Sequence, residues 1–210
     1  MESKFIRTPS GKFHAMVAGA GAPVLLIHGR SVELNSWRTW EKNIAALGAQ
    51  NRVYALDLLG YGDSDKVKPL PDESSQARAL IELLDAEKIP RTSLIGLSWG
   101  GTIAQWIVSL VPARVDKLVL VDSGYDVSER GLARLEKIAC PTLILWDEDD
   151  SVIPVAGAQI LGDAISNSRL RIFKQTERDP GANPENRHWS QETHSHEWNQ
   201  VVTNFLKSES

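Results

Sequence analysis

Cysteine is nearly missing from this chain: Cys140 is the only one among 210 residues. No internal disulfide is therefore open to it, and stability must come from packing. Cys140 follows the apolar positions Leu132, Leu135 and Ile138, and it is expected as a buried structural residue, because free cysteine is among the most buried residue types. Long apolar runs are missing too, none approaching the roughly 18 residues of a membrane span. The N-terminal stretch MESKFIRTPSGKF lacks the apolar region of a signal peptide, so a cytoplasmic protein is expected. Neither sign of charge dominates: 23 Lys and Arg against 27 Asp and Glu leave a net charge of −4. With no block of like charge, there is no electrostatic footprint for nucleic acid. Repeats and low-complexity segments are absent as well. What is there, 42% hydrophobic and 24% charged residues, suits one soluble domain over residues 1–210, as a monomer or homodimer.

Short apolar runs alternate with helical patterns along the chain. The runs are Val24 to Ile27, Val53 to Leu56, Leu94 to Leu97, Leu118 to Val121, Leu143 to Trp146 and the weaker Leu170 to Phe173. Rich in Val, Ile and Leu and followed by Gly, Asp or Ser, they read as strands buried on both faces of a parallel sheet. Between them, stripes of helical period run through Trp37, Trp40, Ile44 and Leu47, then Ala77, Leu80, Ile81 and Leu84. Two more run through Thr102, Ile103, Trp106, Ile107 and Leu110, and through Trp198, Val201, Val202 and Phe205. The alternation predicts an α/β fold, a mostly parallel sheet with helices on both faces. Residues 5–17, broken at Pro9-Ser10-Gly11, add an antiparallel hairpin at one edge. Ligands of such sheets bind at the carboxyl ends of the strands. This directs attention to His28-Gly29-Arg30, Asp57, Ser98, Asp122, Asp147 to Asp150, and the segment after Phe173.

Gly96-Leu97-Ser98-Trp99-Gly100 fits G-x-S-x-G at a strand-to-helix turn. That turn exposes a serine hydroxyl above the sheet at the positive end of a helix. The plainer reading makes Ser98 a helix N-cap and the glycines a tight turn, while a phosphate-binding loop would need a lysine that is not there. A serine nucleophile requires a base, and the base an orienting acid. Of the five histidines, His188 lies between the last strand and the last helix, at the active edge. His14 has no neighbour of chemical interest, His28 is expected to hold its loop by hydrogen bonding, and His194 and His196 read as solvated helix positions. The spacing of His188, His194 and His196 matches no common zinc pattern, so no metal and no cofactor are implied. Asp150 is the first candidate for the acid and Asp122 its rival. Asp147, Glu148 and Asp149 are expected in a solvated charged loop, since adjacent carboxylates resist burial. The Arg30 and Trp99 backbone N–H groups are candidate oxyanion donors. Trp37, Trp99 and Trp189 are expected to wall an apolar pocket.

With these pieces in place, the sequence resembles the α/β-hydrolase superfamily, in its branch of small serine esterases, C–C hydrolases and haloperoxidase-like enzymes. The resemblance rests on five segments in order: His28-Gly29 with Trp37; Asp57-Leu58-Leu59-Gly60-Tyr61-Gly62-Asp63-Ser64-Asp65; the turn around Ser98; Pro141 to Trp146 leading to Asp150 and Pro154; and His188-Trp189 leading to Glu192. It implies Ser98 as nucleophile, Asp150 as acid, His188 as base, and Arg30 and Trp99 as oxyanion donors. Relatives that place Asp at the turn, the haloalkane dehalogenases and epoxide hydrolases, differ from this chain at Ser98. The chain departs from the family pattern at Asp147 and Arg187, where glycine is usual. It departs again in residues 123–139, where relatives hold a cap of several tens of residues and this chain has room for one helix, about Ser128 to Ile138. The resemblance implies hydrolysis of short or activated carboxylic esters through an acyl-enzyme on Ser98. C–C cleavage, perhydrolysis, or a non-catalytic scaffold or ligand receptor are the alternatives.

Overall fold

A computed structural model describes residues 1–31 and 35–208. Every apolar run lies inside a strand: β1 (Glu2–Thr8), β2 (Gly11–Ala18), β3 (Ala22–Ile27), β4 (Asn51–Asp57), β5 (Thr92–Leu97), β6 (Val115–Val121), β7 (Thr142–Asp147) and β8 (Ser168–Phe173). They form one eight-stranded sheet in the order β1-β2-β4-β3-β5-β6-β7-β8. β1 and β2 are an antiparallel hairpin, and β2 runs antiparallel to β4. All other neighbours are parallel.

The helices are α1 (Ser36–Trp40), α2 (Ile44–Gly48), α3 (Glu73–Ala86), α4 (Trp99–Leu110), α5 (Glu129–Leu135), α6 (Ala156–Ala164), α7 (Ser190–Thr193) and α8 (Ser195–Lys207). The pleat sends alternate strand residues to opposite faces, so the sheet makes two cores. Leu25, Ile27, Leu94, Leu118 and Ile144 pack with α3, α4 and α6 through Leu80, Ile103 and Leu161. Val24, Leu26, Ile95, Val119 and Leu145 pack with α1, α2 and α8 through Trp40, Ile44, Trp198 and Val202. The Trp40 and Trp198 rings meet at 6.1 Å.

The stripe beginning at Trp37 does not continue as one helix. The chain turns at 41–43, where Asn43 N–H bonds the Trp40 carbonyl, and α1 buries Ser36, Thr39 and Trp40 instead. Between β6 and β7 the chain holds one α-helix, α5, shorter than the stretch expected from Ser128 to Ile138 and capped by the Ser128 hydroxyl at Gly131 N–H. Cys140 is half-buried rather than buried, and burial pushes its thiol above the usual value. Among the described residues no helix is long and apolar enough to cross a membrane.

Candidate active site

The turn from β5 into α4 is built on close backbone approach. A Cβ at Gly96 would collide with the Gly100 carbonyl, and one at Gly100 with the Ile27 carbonyl. Only glycine lets strand and helix meet this way. Ser98 stands between them at φ 53°, ψ −118°, a left-handed conformation that costs a non-glycine residue about 1–3 kcal/mol. Its backbone is held regardless: Ser98 N–H donates to Val121 O at 2.9 Å, and Ser98 O accepts from Gly101 N–H at 2.9 Å and Gly124 N–H at 3.0 Å.

His188 and Asp150 come together at the same sheet edge. Asp150 Oδ2 lies 2.8 Å from His188 Nδ1, and Oδ1 accepts from the N–H groups of Val152 (2.8 Å) and Ile153 (2.9 Å). An aspartate with all these donors is held in one orientation, which fixes the ring. His188 Nε2 is buried and has no hydrogen-bond partner among the described residues. His188 and Ser98 share one cavity of about 220 Å³, lined by Gly29, Arg30, Ser98, Val152, His188 and Trp189 among others. No hydrogen bond joins Ser98 Oγ to Nε2 in this structure; such contacts are often open until substrate arrives.

Asp122 does not reach the imidazole. It is fully buried at the end of β6, with Oδ1 accepting from Asp147 N–H (2.8 Å) and Oδ2 from Ser190 N–H (3.0 Å) and Ser190 Oγ–H (2.8 Å). Burial and the neighbouring Asp147 charge hold its carboxyl well above the usual range, against those donors.

The candidate oxyanion donors flank Ser98. Trp99 N–H is the first of α4, where helix geometry leaves a donor without an intrahelical acceptor, and Arg30 lines the cavity from the loop after β3. The Trp99 indole faces elsewhere: Nε1 donates to Glu73 Oε1 at 2.5 Å and the ring lies 6.0 Å from Tyr61. The Arg30 guanidinium sits 5.4 Å over that ring. Of the three tryptophans expected to wall the pocket, only Trp189 lines the cavity. Trp37 is 43% exposed and borders a separate groove with Met1, Ala18 and Ile44, because α1 turns Trp40 inward and Trp37 out.

Other polar residues divide between those placed as expected and those that are not. His28 holds its loop as expected: Nδ1–H donates to Gly29 O (2.7 Å) and Nε2 accepts from Leu58 N–H (3.1 Å). Burial lowers its pKa, which suits that neutral form. His14, expected to be alone, is buried with Nδ1 2.8 Å from Asp57 Oδ2. His14, Asp57 and Asp63 bring ligand-type atoms within 4.8 Å of one another. Asp57 is already bonded there by the N–H groups of Ser36 and Asp63 as well as by His14. Burial pushes the Asp57 carboxyl up, but these hydrogen bonds outweigh it and hold it below the usual value. The cluster therefore reads as a joint between the β2 edge and the segment after β4. Asp147 and His194, expected in solvent, are fully buried, whereas Glu148 and His196 are exposed as expected. Nothing local in the sequence marks the first two, because their burial depends on each other across 47 positions.

Comparison with known proteins agrees with this architecture. The structure superimposes on a meta-cleavage product hydrolase from Pseudomonas fluorescens with a TM-score of 0.85 at 20% identity, covering 97% of each chain. It superimposes on a carboxylesterase from Bacillus subtilis with a TM-score of 0.84 at 18% identity, covering all of this chain and 92% of the other. At such identities the likeness is one of fold. In sequence, the chain is 27% identical to a 2-hydroxy-6-oxononadienedioate/2-hydroxy-6-oxononatrienedioate hydrolase from Paraburkholderia xenovorans, over 97% of this chain and 95% of the relative. That alignment runs over 284 positions, so the relative carries segments without counterpart among these 210 residues. Residues 22–134, more than half of the chain, match the family model described as the alpha/beta hydrolase fold. With the sheet order, the strained serine turn and the histidine at the strand ends already in view, that match places the chain in the α/β-hydrolase fold family.

Proposed function

We propose that the protein is a serine hydrolase that cleaves short or activated carboxylic esters. The observation that carries the reading is His188, whose Nδ1 lies 2.8 Å from Asp150, whose Nε2 has no hydrogen-bond partner among the described residues, and which lines the same cavity as Ser98. In the proposed reaction Nε2 takes the Ser98 proton as Oγ attacks the ester carbonyl. The Arg30 and Trp99 N–H groups hold the oxyanion, each worth roughly 3 kcal/mol of transition-state stabilisation. The imidazolium then protonates the leaving alcohol. Water enters, gives its proton to Nε2 and releases the acid. Asp150 stays ionised and keeps the ring oriented.

A second reading, hydrolysis of a C–C bond in a vinylogous diketo acid, is favoured by the name of the Paraburkholderia relative. Both reactions use the same serine and histidine and differ in the leaving group, a carbanion in place of an alkoxide. The test is turnover of p-nitrophenyl acetate beside that of a 2-hydroxy-6-oxo-dienoate, each with the Ser98→Ala variant as control. Ester turnover that falls by about 10³-fold or more in Ser98→Ala is the expected result. Full ester turnover by Ser98→Ala overturns the assignment, and turnover of the dienoate alone moves it to the C–C reaction.

A further inference from the structure

We propose that Asp147 and His194 form a second, buried carboxylate–imidazole pair, and that this pair positions the segment carrying His188. The inference rests on the hydrolase reading above only for its kinetic consequence. The contacts are these. His194 Nε2 lies 3.0 Å from Lys174 O, a pure acceptor, so Nε2 carries a hydrogen. Nδ1 lies 2.9 Å from Thr193 Oγ1 and 3.2 Å from Asp147 Oδ1. The latter is an ion-pair distance rather than an aligned hydrogen bond, yet Oδ1 is buried with no hydrogen-bond partner among the described residues, and the His194 ring nitrogen faces it at that distance. Both side chains are fully buried, and Phe173 stacks on the imidazole at 5.0 Å between centroids.

One proton between Oδ1 and Nδ1 satisfies the pair, whichever atom holds it. Without it a bare carboxylate would face a lone pair, with Asp149 and Asp150 on its own loop adding negative charge. Arg178, bonded to Asp149 at 3.0 Å, and Arg187, 3.9 Å from Asp149 Oδ2, are cations facing this cluster.

The pair is tied to His188 along two routes. Thr193 Oγ1 lies 3.4 Å from Asp147 Oδ2, and Asp122, whose Oδ1 is anchored on Asp147 N–H, holds both the N–H and the hydroxyl of Ser190. The short helix α7 is thus pinned to the strand ends at both its termini, and His188 lies two residues before it. On the other side, Asp150 N–H donates to Asp147 O at 3.3 Å, so Asp147 is also the root of the turn that presents Asp150. Asp147 and His194 touch no part of the cavity and are positioning residues.

The test is a double-mutant cycle on the full chain. It reads the rate at which a fluorophosphonate labels Ser98 above neutral pH, and the low-field proton NMR signal of the His188 Nδ1–H···Asp150 bond. His194→Gln strands the Asp147 charge, so labelling is expected to slow about tenfold and the His188 proton signal to weaken or vanish. Adding Asp147→Asn removes that charge and is expected to restore most of the rate. Losses that simply add, or a His194→Gln protein that labels at the wild-type rate with its proton signal intact, overturn the pair. Should His194→Gln not fold, Asp147→Asn alone decides: loss of the His188 signal supports the pair and its full retention overturns it. A wild-type protein that resists the probe refutes the hydrolase reading, and the proton signal then still tests the pair by itself.

Discussion

Asp147 and Asp150 lie three positions apart and meet opposite environments. Asp150 accepts two backbone N–H groups and faces an imidazole, so both its oxygens have hydrogen-bonding partners. Asp147 is buried with few donors, and burial raises its pKa from 3.8 to about 6, with His194 and Arg178 pulling the other way. A carboxyl whose folded pKa is raised binds its proton more tightly in the folded chain. The stability this contributes is complete below pH 3.8 and is lost as the pH rises through about 6. A gap of roughly two units corresponds to about 3 kcal/mol. In thermal unfolding across this window, Asp147→Asn should gain on wild type as pH rises, the difference in Tm growing to about pH 6 and levelling off above. A difference that stays constant with pH would show that Asp147 does not titrate there. Comparison of the two proteins cancels the carboxylates remote from Asp147, while Asp122, which the Asp147 charge helps to raise, shifts the difference in the same direction once Asp147 is neutralised. The same residue shows what sequence reading misses. A run of four acids is rightly read as solvent-facing at Glu148, but a carboxylate is buried where a partner of the right chemistry arrives from elsewhere in the chain.

At the scale of elements, most of the fold was legible because the parallel strands state themselves. Leu94 to Leu97 and Leu118 to Val121 are buried on both faces, so no polar residue interrupts them. The tight strand-to-helix turn at Ser98 was equally legible, since its glycines answer a local collision. α6 was not anticipated: it buries Gly157, Ala158 and Leu161, of which only Leu161 is a large apolar residue, so no apolar stripe marks it. Trp37 misled because helical spacing was carried through a turn. α8 was the clearest helix, with Trp198, Val202 and Phe205 on its buried face. Its first residues follow directly on α7, so this face also holds the base-bearing segment in place. Trp198→Ala is expected to cost about 3–5 kcal/mol, the range for emptying a fully buried aromatic site. In urea unfolding that loss should lower the midpoint with little change in slope. A loss below about 1 kcal/mol would mean that Trp40 and its neighbours close the cavity.

On the scale of the whole molecule, the distinguishing feature is how little chain lies over the strand ends. Residues between β6 and β7 supply one α-helix of seven residues, and Val152, which lines the cavity, is itself 63% exposed. A site of about 220 Å³ is smaller than the roughly 300–1,000 Å³ usual for pockets that enclose a drug-sized ligand. This bears directly on selectivity, because each methylene fully buried on binding is worth about 0.8 kcal/mol, or about fourfold in kcat/KM. An enclosed acyl pocket would multiply that gain with every added carbon. If the proposed ester reaction holds, the first carbons would enter the cavity beside Trp189 and the later ones would reach solvent, where they gain nothing. In a series of p-nitrophenyl esters, kcat/KM should rise a few-fold over the shortest acyl chains and then go flat. The flattening should appear in KM, since the reacting carbonyl is held the same way throughout. A rise of about fourfold per methylene sustained into long chains would mean that an apolar surface outside this cavity receives the acyl group.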